Sequence, residues 1–320
     1  MTTVTAEETP DIGSSVDGAS KPSSSPFSKE AWRRRAPLLP ALLFTIVVTQ
    51  VPFLFSIYYS LTDWRFLIPD SRTIVWFQNF IDLLPGMGSS AISGEVWTTV
   101  SMTALSVGLA LVIGLGLAVL LDRKFFGQGF IRTLLITPFL VTPVVASLVW
   151  SNQFFGPAFG VINWLVTMFK DDPIEFTGSH AFLSVVIVIV WQWAPFMMLI
   201  LLAGLQSQDS SVLEAARVDG AGRWATFRYI TVPHLYRYIQ LGILLGIVYI
   251  SQVFDHIQVI TGGRGGTKNL AFLVFESSIG GGFRFGQASA QAVFTVILSI
   301  IVATLLLRGL RSLLADGDGV

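Results

Sequence analysis

Cysteine and charge are what this sequence lacks. None of its 320 residues is a cysteine, which excludes disulfides, thiolate catalysis and cysteine-ligated metals. Only 12% of the residues are charged and 52% are hydrophobic, whereas a soluble domain has about 25% charged residues. The 20 lysines and arginines balance the 20 aspartates and glutamates, so no overall basic field favours nucleic acid. With a mean hydropathy of +0.68, the composition predicts an integral membrane protein.

Long apolar segments recur along the chain. A hydrocarbon core of about 30 Å requires roughly 20 apolar residues in a helix, because an open backbone would leave polar groups unsatisfied in lipid. We predict six such helices, which form an all-α polytopic membrane domain over residues 36–314, and we expect Pro138 and Pro143 to kink the third. The predicted helices run from Ala36 to Ser60, Trp97 to Leu121, Thr133 to Phe155, Ala181 to Gly204, Tyr238 to Ile260 and Ala288 to Leu307.

The basic residues indicate the orientation of these helices. Lysine and arginine in short loops remain preferentially on the cytoplasmic side, and an N-terminus inside places roughly fourteen of them in the cytoplasm and about six outside. Both termini are therefore predicted to be cytoplasmic. Residues 1–35 are rich in Ser, Thr, Pro and acidic residues and are predicted to be a disordered cytoplasmic tail, without the basic start of a signal peptide. Residues 315–320 are expected to be a short C-terminal tail.

Small residues recur at a spacing of four on the second predicted helix. Ala110, Gly114 and Ala118 lie on one face, where they would let another helix approach the backbone closely. The pattern predicts a packing face. The alternative is that glycine is simply common in membrane helices.

The connection between the fourth and fifth predicted helices, residues 206–237, is longer and more patterned than a connector requires. Ser211 and Glu214 fit a capping box at the start of a helix, and Gly220 fits its stop. A second short helix is expected at about Arg223 to Tyr229. Small Ala215 and Ala216 would allow close approach by a partner, so the segment is predicted to dock against another protein.

The spacing in this connection resembles the EAA loop of binding-protein-dependent ABC importers, in which Glu-Ala-Ala is followed by glycine and then by an isoleucine before a proline. Val232 stands where that family usually has leucine. The resemblance implies a type I importer permease with a MetI-like fold, whose loop is a coupling helix that sits in a cleft of the ATP-hydrolysing subunit. The ATPase-coupling residues that it implies are Glu214, Ala215, Ala216, Arg217, Asp219, Gly220, Ile230 and Pro233.

Further segments are similar to the maltose-type carbohydrate permeases of that family. They are Phe77-Gln78-Asn79-Phe80, the run from Pro138 to Ala146, Gly160-Val161-Ile162-Asn163, and Phe254-Asp255 followed by Thr261-Gly262-Gly263. Arg264 departs from the proline that usually comes next. The resemblance implies a sugar or a polyol as the transported solute.

The same resemblance implies the assembly. The partners would be a second, homologous permease subunit, two ATPase subunits and an extracytoplasmic solute-binding protein, in the bacterial cell membrane. ATP and Mg would be bound by the ATPase subunits, and this chain would bind no cofactor. It would form the pore and have no catalytic or metal site.

Ionisable residues near the outer end of the fifth predicted helix, Asp255 and His256, are rare in membranes and indicate function. Sugar hydroxyls need hydrogen-bond partners, and sugar faces pack on aromatic rings. The alternative is that aromatic residues anchor the helices at the interfaces and that Asp255 lies just outside the hydrocarbon. The candidate pathway residues are Asp255, Gln252, Phe254, Gln258, Trp150, Asn152, Trp191 and Trp193.

Two other classes of protein fit the sequence less well. An ion-coupled secondary transporter of small polar solutes would carry central intramembrane carboxylates on interrupted helices, and the sequence shows none central enough. A polytopic membrane enzyme would need a catalytic constellation, and none is evident beyond Asp255 and His256. Neither rival predicts the patterned connection.

Overall fold

The computed structural model describes residues 36–68, 72–84, 92–157, 159–169 and 172–315. The predicted tail at residues 1–35 and residues 316–320 of the predicted C-terminal tail lie outside these ranges. Helix predominates in the described chain. The helices are α1 (Leu39–Ser60), α2 (Gln78–Ile81), α3 (Ser93–Leu121), α4 (Gln128–Leu140), α5 (Pro143–Val149), α6 (Val161–Thr167), α7 (Ala181–Gln206), α8 (Ser210–Val218), α9 (Arg223–Thr226), α10 (Val232–Ile250), α11 (Asp255–Ile260), α12 (Leu270–Ser278) and α13 (Phe285–Ala315).

The chain divides into two compact units, Met1–Phe53 and Leu54–Val320. The described part of the first unit is one 3₁₀ turn, Ala36–Leu38, and the first part of α1. Every residue of this part is exposed. A helix that is apolar on all sides and exposed is suited to lipid.

Four helices of the described chain are long and apolar enough to cross a membrane: Ala36–Ser60, Ser93–Leu121, Ala181–Gln206 and Phe285–Leu305. They correspond to the first, second, fourth and sixth predicted helices, and the bounds of the first coincide with the prediction. A bent pair of helices provides a fifth candidate span.

The bent pair is the third predicted helix. Its two arms, Gln128–Leu140 and Pro143–Phe154, meet at 100°, so the expected kink is a break. Between them Thr142 is extended, with φ −64° and ψ 143°, as the residue before a proline must commonly be. Pro143 then begins α5, where its missing N–H costs no hydrogen bond.

The fifth predicted helix, Tyr238 to Ile260, is wrong as one continuous helix. It consists of α10 and α11, separated by a break at Ser251–Phe254. The backbone can open there because the buried side chain of Asn269 donates from Nδ2 to the carbonyl oxygen of Val253, over 2.6 Å. A backbone carbonyl that finds another donor no longer depends on the helix.

The packing face on α3 is confirmed. Ala110 and Ala118 are fully buried, and a Cβ built on Gly114 would lie 2.7 Å from Cβ of Met197 on α7. A Cβ on Gly116 would meet nothing within 4 Å, which shows that it lies off this face. The contact between α3 and α7 is therefore the centre of the core of the second unit.

Candidate functional site

The helix α8 in the connection between α7 and α10 begins at Ser210. Its N-cap is Asp209, whose carboxylate accepts from the backbone N–H of Ser211 over 2.9 Å, so the expected capping box of Ser211 and Glu214 is wrong. Asp209 immediately precedes the first residue of the helix, and its carboxylate therefore lies within hydrogen-bond distance of the free N–H groups of the first turn. Hydrogen bonds from the backbone and then the side chain of Ser211 hold the pKa of Asp209 below its ordinary value. Since this pKa is depressed, the cap stabilises the helix at neutral pH and is lost as the pH falls through that pKa.

The predicted helix stop at Gly220 is confirmed. Gly220 has a φ of +79°, in the left-handed region that favours glycine. Its N–H donates to the carbonyl of Arg217 over 3.1 Å, and the N–H of Ala221 donates to the carbonyl of Ala216 over 2.9 Å. This pair of bonds is a Schellman motif, which satisfies the last carbonyls of α8 and fixes the direction in which the chain leaves it.

The motif residues on α8 do not share one environment. Glu214, Ala215 and Arg217 are exposed, whereas Ala216 is only 6% exposed. Of the two alanines, therefore, only Ala215 is open to a partner, and the expectation for Ala216 is corrected because it packs within its own chain. The remaining motif residues are Asp219, Gly220 and Pro233, which are exposed, and Ile230, which is half-buried.

The second short helix of the connection is the N-terminal beginning of a longer helical segment. α9 continues through a π-helical turn, Phe227–Thr231, directly into α10. Trp224 on α9 is 74% exposed and Val218 at the end of α8 is 87% exposed. The connection therefore leaves two large apolar side chains uncovered by its own chain.

A polar contact that the sequence analysis missed joins the end of α7 to α10 across the connection. Oγ of Ser207, just after α7, lies 2.7 Å from the hydroxyl of Tyr238 and 3.1 Å from Nε2 of His234, both on α10. A Cβ on Gly204 would lie 2.7 Å from Cδ2 of Tyr238, so side chains of α10 pack directly against the backbone of α7 here.

Four buried side-chain amides satisfy backbone groups where helices break or loops fold. Asn79 donates to the carbonyls of Ser60 and Thr62. Asn163 donates to three carbonyls and accepts from the N–H of Ile174. Asn269 and Gln192 each donate to the carbonyl of a broken span. Asn79 and Asn163 lie in segments that resemble the carbohydrate permeases. In these segments the asparagines therefore have a structural role, which is to satisfy buried backbone groups.

Replacing Asn163 by leucine is expected to lower the free energy of unfolding by about 1–3 kcal/mol, because buried carbonyls then have no donor. The matched control is Asn152→Leu, since Asn152 is exposed and its amide donates to the carbonyl of Leu148 within the same helix. Thermal unfolding of the purified protein measures both. Equal stability of the two variants would contradict the role given to Asn163.

The candidate pathway residues fall into separate groups. The rings of Trp150 and Trp191 are 5.7 Å apart, and Nε1 of Trp150 is buried with no hydrogen-bond partner among the described residues. Trp193 packs against Tyr249 at 5.6 Å. The structure thus brings Trp150 and Trp191 together, with the buried donor of Trp150 left without a partner among the described residues.

The other candidates lie around the break between α10 and α11. Phe254 packs on Phe275 at 4.7 Å, and Asp255 is half-buried at the first position of α11. Gln252 and Gln258 are exposed, and the amide of Gln252 donates to the carbonyl of Val248. These four residues share one stretch of chain. The ring of Phe254 contacts α12 and not Trp150.

Broken membrane helices recur in transporters, where they line a cavity or are buried in protein. The chain belongs to the family of binding-protein-dependent transport system inner membrane components, which residues 106–316 match. It is accordingly a permease subunit of an ABC importer, a multi-pass membrane protein and a transport component.

Curated relatives and solved structures agree with this family. The trehalose/maltose transport system permease protein MalF of Thermococcus litoralis is 30% identical over 276 residues, which cover 84% of this chain and 90% of that protein. The trehalose transport system permease protein SugA of Mycobacterium tuberculosis is 30% identical over 288 residues, with coverages of 88% and 90%. A chain of a bacterial ABC transporter involved in the import of the acidic polysaccharide alginate has a TM-score of 0.73 at 20% identity, covering 89% of this chain and 96% of that one, and thus shares its fold.

Proposed function

We propose that this chain forms half of the translocation pathway for a sugar or a polyol and is coupled to a separate ATPase subunit through the connection between α7 and α10. The observation that carries the coupling is α8, a capped helix that presents Glu214 and Ala215 outward and ends at the Schellman motif of Gly220. Such a rigid, exposed helix is suited to a groove on a partner. The names of two relatives, which specify trehalose or maltose, support a carbohydrate.

The proposed topology has six membrane crossings and both termini in the cytoplasm. Four apolar helices and the bent pair account for five crossings, and we assign the sixth to α10 with α11. The distribution of lysine and arginine supports the orientation. In this orientation the connection between α7 and α10 would lie on the side of the membrane where ATP is available.

The proposed assembly contains a second permease subunit, two ATPase subunits that bind ATP and Mg, and an extracytoplasmic solute-binding protein, in the inner membrane of a bacterium. Alternating access would follow from movement of the two permease halves under the control of nucleotide. Within this chain the pathway would be lined by Asp255, Gln252, Phe254, Gln258, Trp150, Asn152, Trp191 and Trp193. The unpartnered Nε1 of Trp150 supports a role in binding hydroxyl groups.

A bulky side chain at Ala215 tests the coupling. We expect Ala215→Phe to lower ATP hydrolysis stimulated by the binding protein by about tenfold or more, because it blocks the exposed face of α8 at the centre of the interface. The measurement is co-purification of the ATPase subunits, followed by assay of the complex in liposomes. Ala203→Phe, at an exposed alanine on α7, is the control and should leave stimulation intact.

Two results would count against the proposal. Full stimulation in Ala215→Phe would remove α8 from the interface with the ATPase. Uptake that persists without a functional ATPase and follows an ion gradient would instead favour the secondary transporter.

A further inference from the structure

A buried chain of hydrogen bonds connects the two broken spans. Nε2 of His256 on α11 lies 2.9 Å from Oε1 of Gln192 on α7. Nε2 of Gln192 donates to the carbonyl oxygen of Val141, between α4 and α5, over 2.6 Å. His256 and Gln192 are only 2% and 4% exposed. Three segments that are distant in sequence are thus joined through two side chains.

The direction of each bond follows from the chemistry of the groups. The carbonyl of Val141 can only accept, so the amide nitrogen of Gln192 must face it. The amide oxygen of Gln192 therefore faces His256, and it too can only accept. Nε2 of His256 must then carry a hydrogen and donate it. His256 donates, Gln192 accepts and donates, and Val141 accepts, so neither side chain can be turned without losing a bond.

Both ends of this chain of hydrogen bonds lie where a membrane helix is interrupted. Val141 is extended, with φ −73° and ψ 137°, and it precedes the 100° bend. His256 is the second residue after the break at Ser251–Phe254. α5 also packs on α11, so the bend and the break are neighbours.

We propose that Gln192 and His256 are positioning residues that tie the bend at Val141–Thr142 to the break before α11, so that the two move as one body during transport. An apolar pair could fill the same volume in this core without the cost of burying polar groups. Hydrogen bonds between buried side chains fix their geometry instead. This tie, the hydrogen bonds from His256 through Gln192 to Val141, concerns motion within the permease and so rests on the proposed function.

Spin labels provide the test, because a chain without cysteine needs no background substitutions. Labels at Leu140 and Arg264, both exposed, report the distance between the end of α4 and the loop directly after α11. The complex of permease and ATPase subunits is measured in liposomes without nucleotide and with trapped ATP. In the otherwise unchanged chain we expect one narrow distance that is the same in both states.

Loss of the tie should alter this pattern. In Gln192→Met and in His256→Leu we expect a broader distribution that shifts with nucleotide, and a fall of about fivefold in the ratio of stimulated to basal ATP hydrolysis. The two substitutions together should be no worse than either alone, since each breaks the same chain. His256→Gln places an amide nitrogen near the position of Nε2 and should restore the narrow distance.

A purely structural role would give different results. Val188→Ala, which opens a cavity at a fully buried residue of α7, should lower the yield and leave the distance narrow. A distance that changes with nucleotide in the unsubstituted chain, or one that stays narrow in both Gln192→Met and His256→Leu, would overturn the tie. If no ATPase associates, the proposed function fails, while the widths measured without nucleotide still test the tie.

Discussion

Replacing Gly114 by valine is expected to remove the folded permease from the membrane. A Cβ at this position would lie 2.7 Å from Cβ of Met197, 2.8 Å from the backbone nitrogen of Met198 and 3.0 Å from the carbonyl oxygen of Ala194. Two of these three atoms belong to the backbone of α7, so a change of rotamer cannot make room. The helices α3 and α7 would have to separate, and overpacking of this kind costs about 1–3 kcal/mol or more. Close backbone approach is a main source of stability between membrane helices.

Gly116→Val is the matched control, because it adds the same side chain to the same helix at an exposed position with nothing within 4 Å. The measurement is the amount of monodisperse protein extracted from membranes and its thermal unfolding. Normal yield and stability in Gly114→Val would contradict the contact between α3 and α7. Failure of both variants would mean that the effect does not depend on the close approach of α7.

Replacing Gly220 by valine is expected to abolish stimulated ATP hydrolysis in a permease that remains folded. A non-glycine residue in the left-handed region costs about 1–2 kcal/mol, and a β-branched one is less tolerated still. The chain would leave α8 in another direction, and the bonds from Gly220 and Ala221 to α8 would be lost. The fold should survive because Gly220 is exposed and outside the core.

Gly222→Val separates this effect from the mere loss of a glycine. Gly222 has φ −67° and ψ 161°, a conformation that valine adopts readily, and a Cβ there would meet nothing within 4 Å. We expect this control to retain co-purification and stimulated hydrolysis. Activity retained in Gly220→Val, or lost equally in both variants, would show that the exit direction of α8 does not matter for coupling.

The membrane spans were predictable where the signal is local. Twenty apolar residues and a proline are visible in the sequence itself, so four spans and the position of the bend at Pro143 follow from it. The break before α11 did not follow, because Ser251, Gln252, Val253 and Phe254 include no proline or glycine. Its cause is Asn269, which lies 16 residues away along the chain.

The candidate site shows the same division. Gly220 was predicted as a helix stop because a left-handed residue is a local requirement. The cap was assigned to the wrong residue because Asp209 and Ser211 are both good caps, and only the start of α8 distinguishes them. Gln192 was missed altogether, since a single glutamine in an apolar helix gives no sign of a partner at Val141.

The uninterrupted helical path from Arg223 to Ile250 makes the connection mechanically distinctive. At 1.5 Å per residue it is a rod about 40 Å long, with exposed Trp224 near one end and the break before α11 at the other. Between them, Leu235 and Tyr238 of the rod pack on α7 at Gly204, near the middle of the rod. The two arms on either side of this contact are therefore about equal in length, and a displacement of Trp224 would reach the break before α11 at about the same size, so the rod would transmit motion across the membrane without enlarging it.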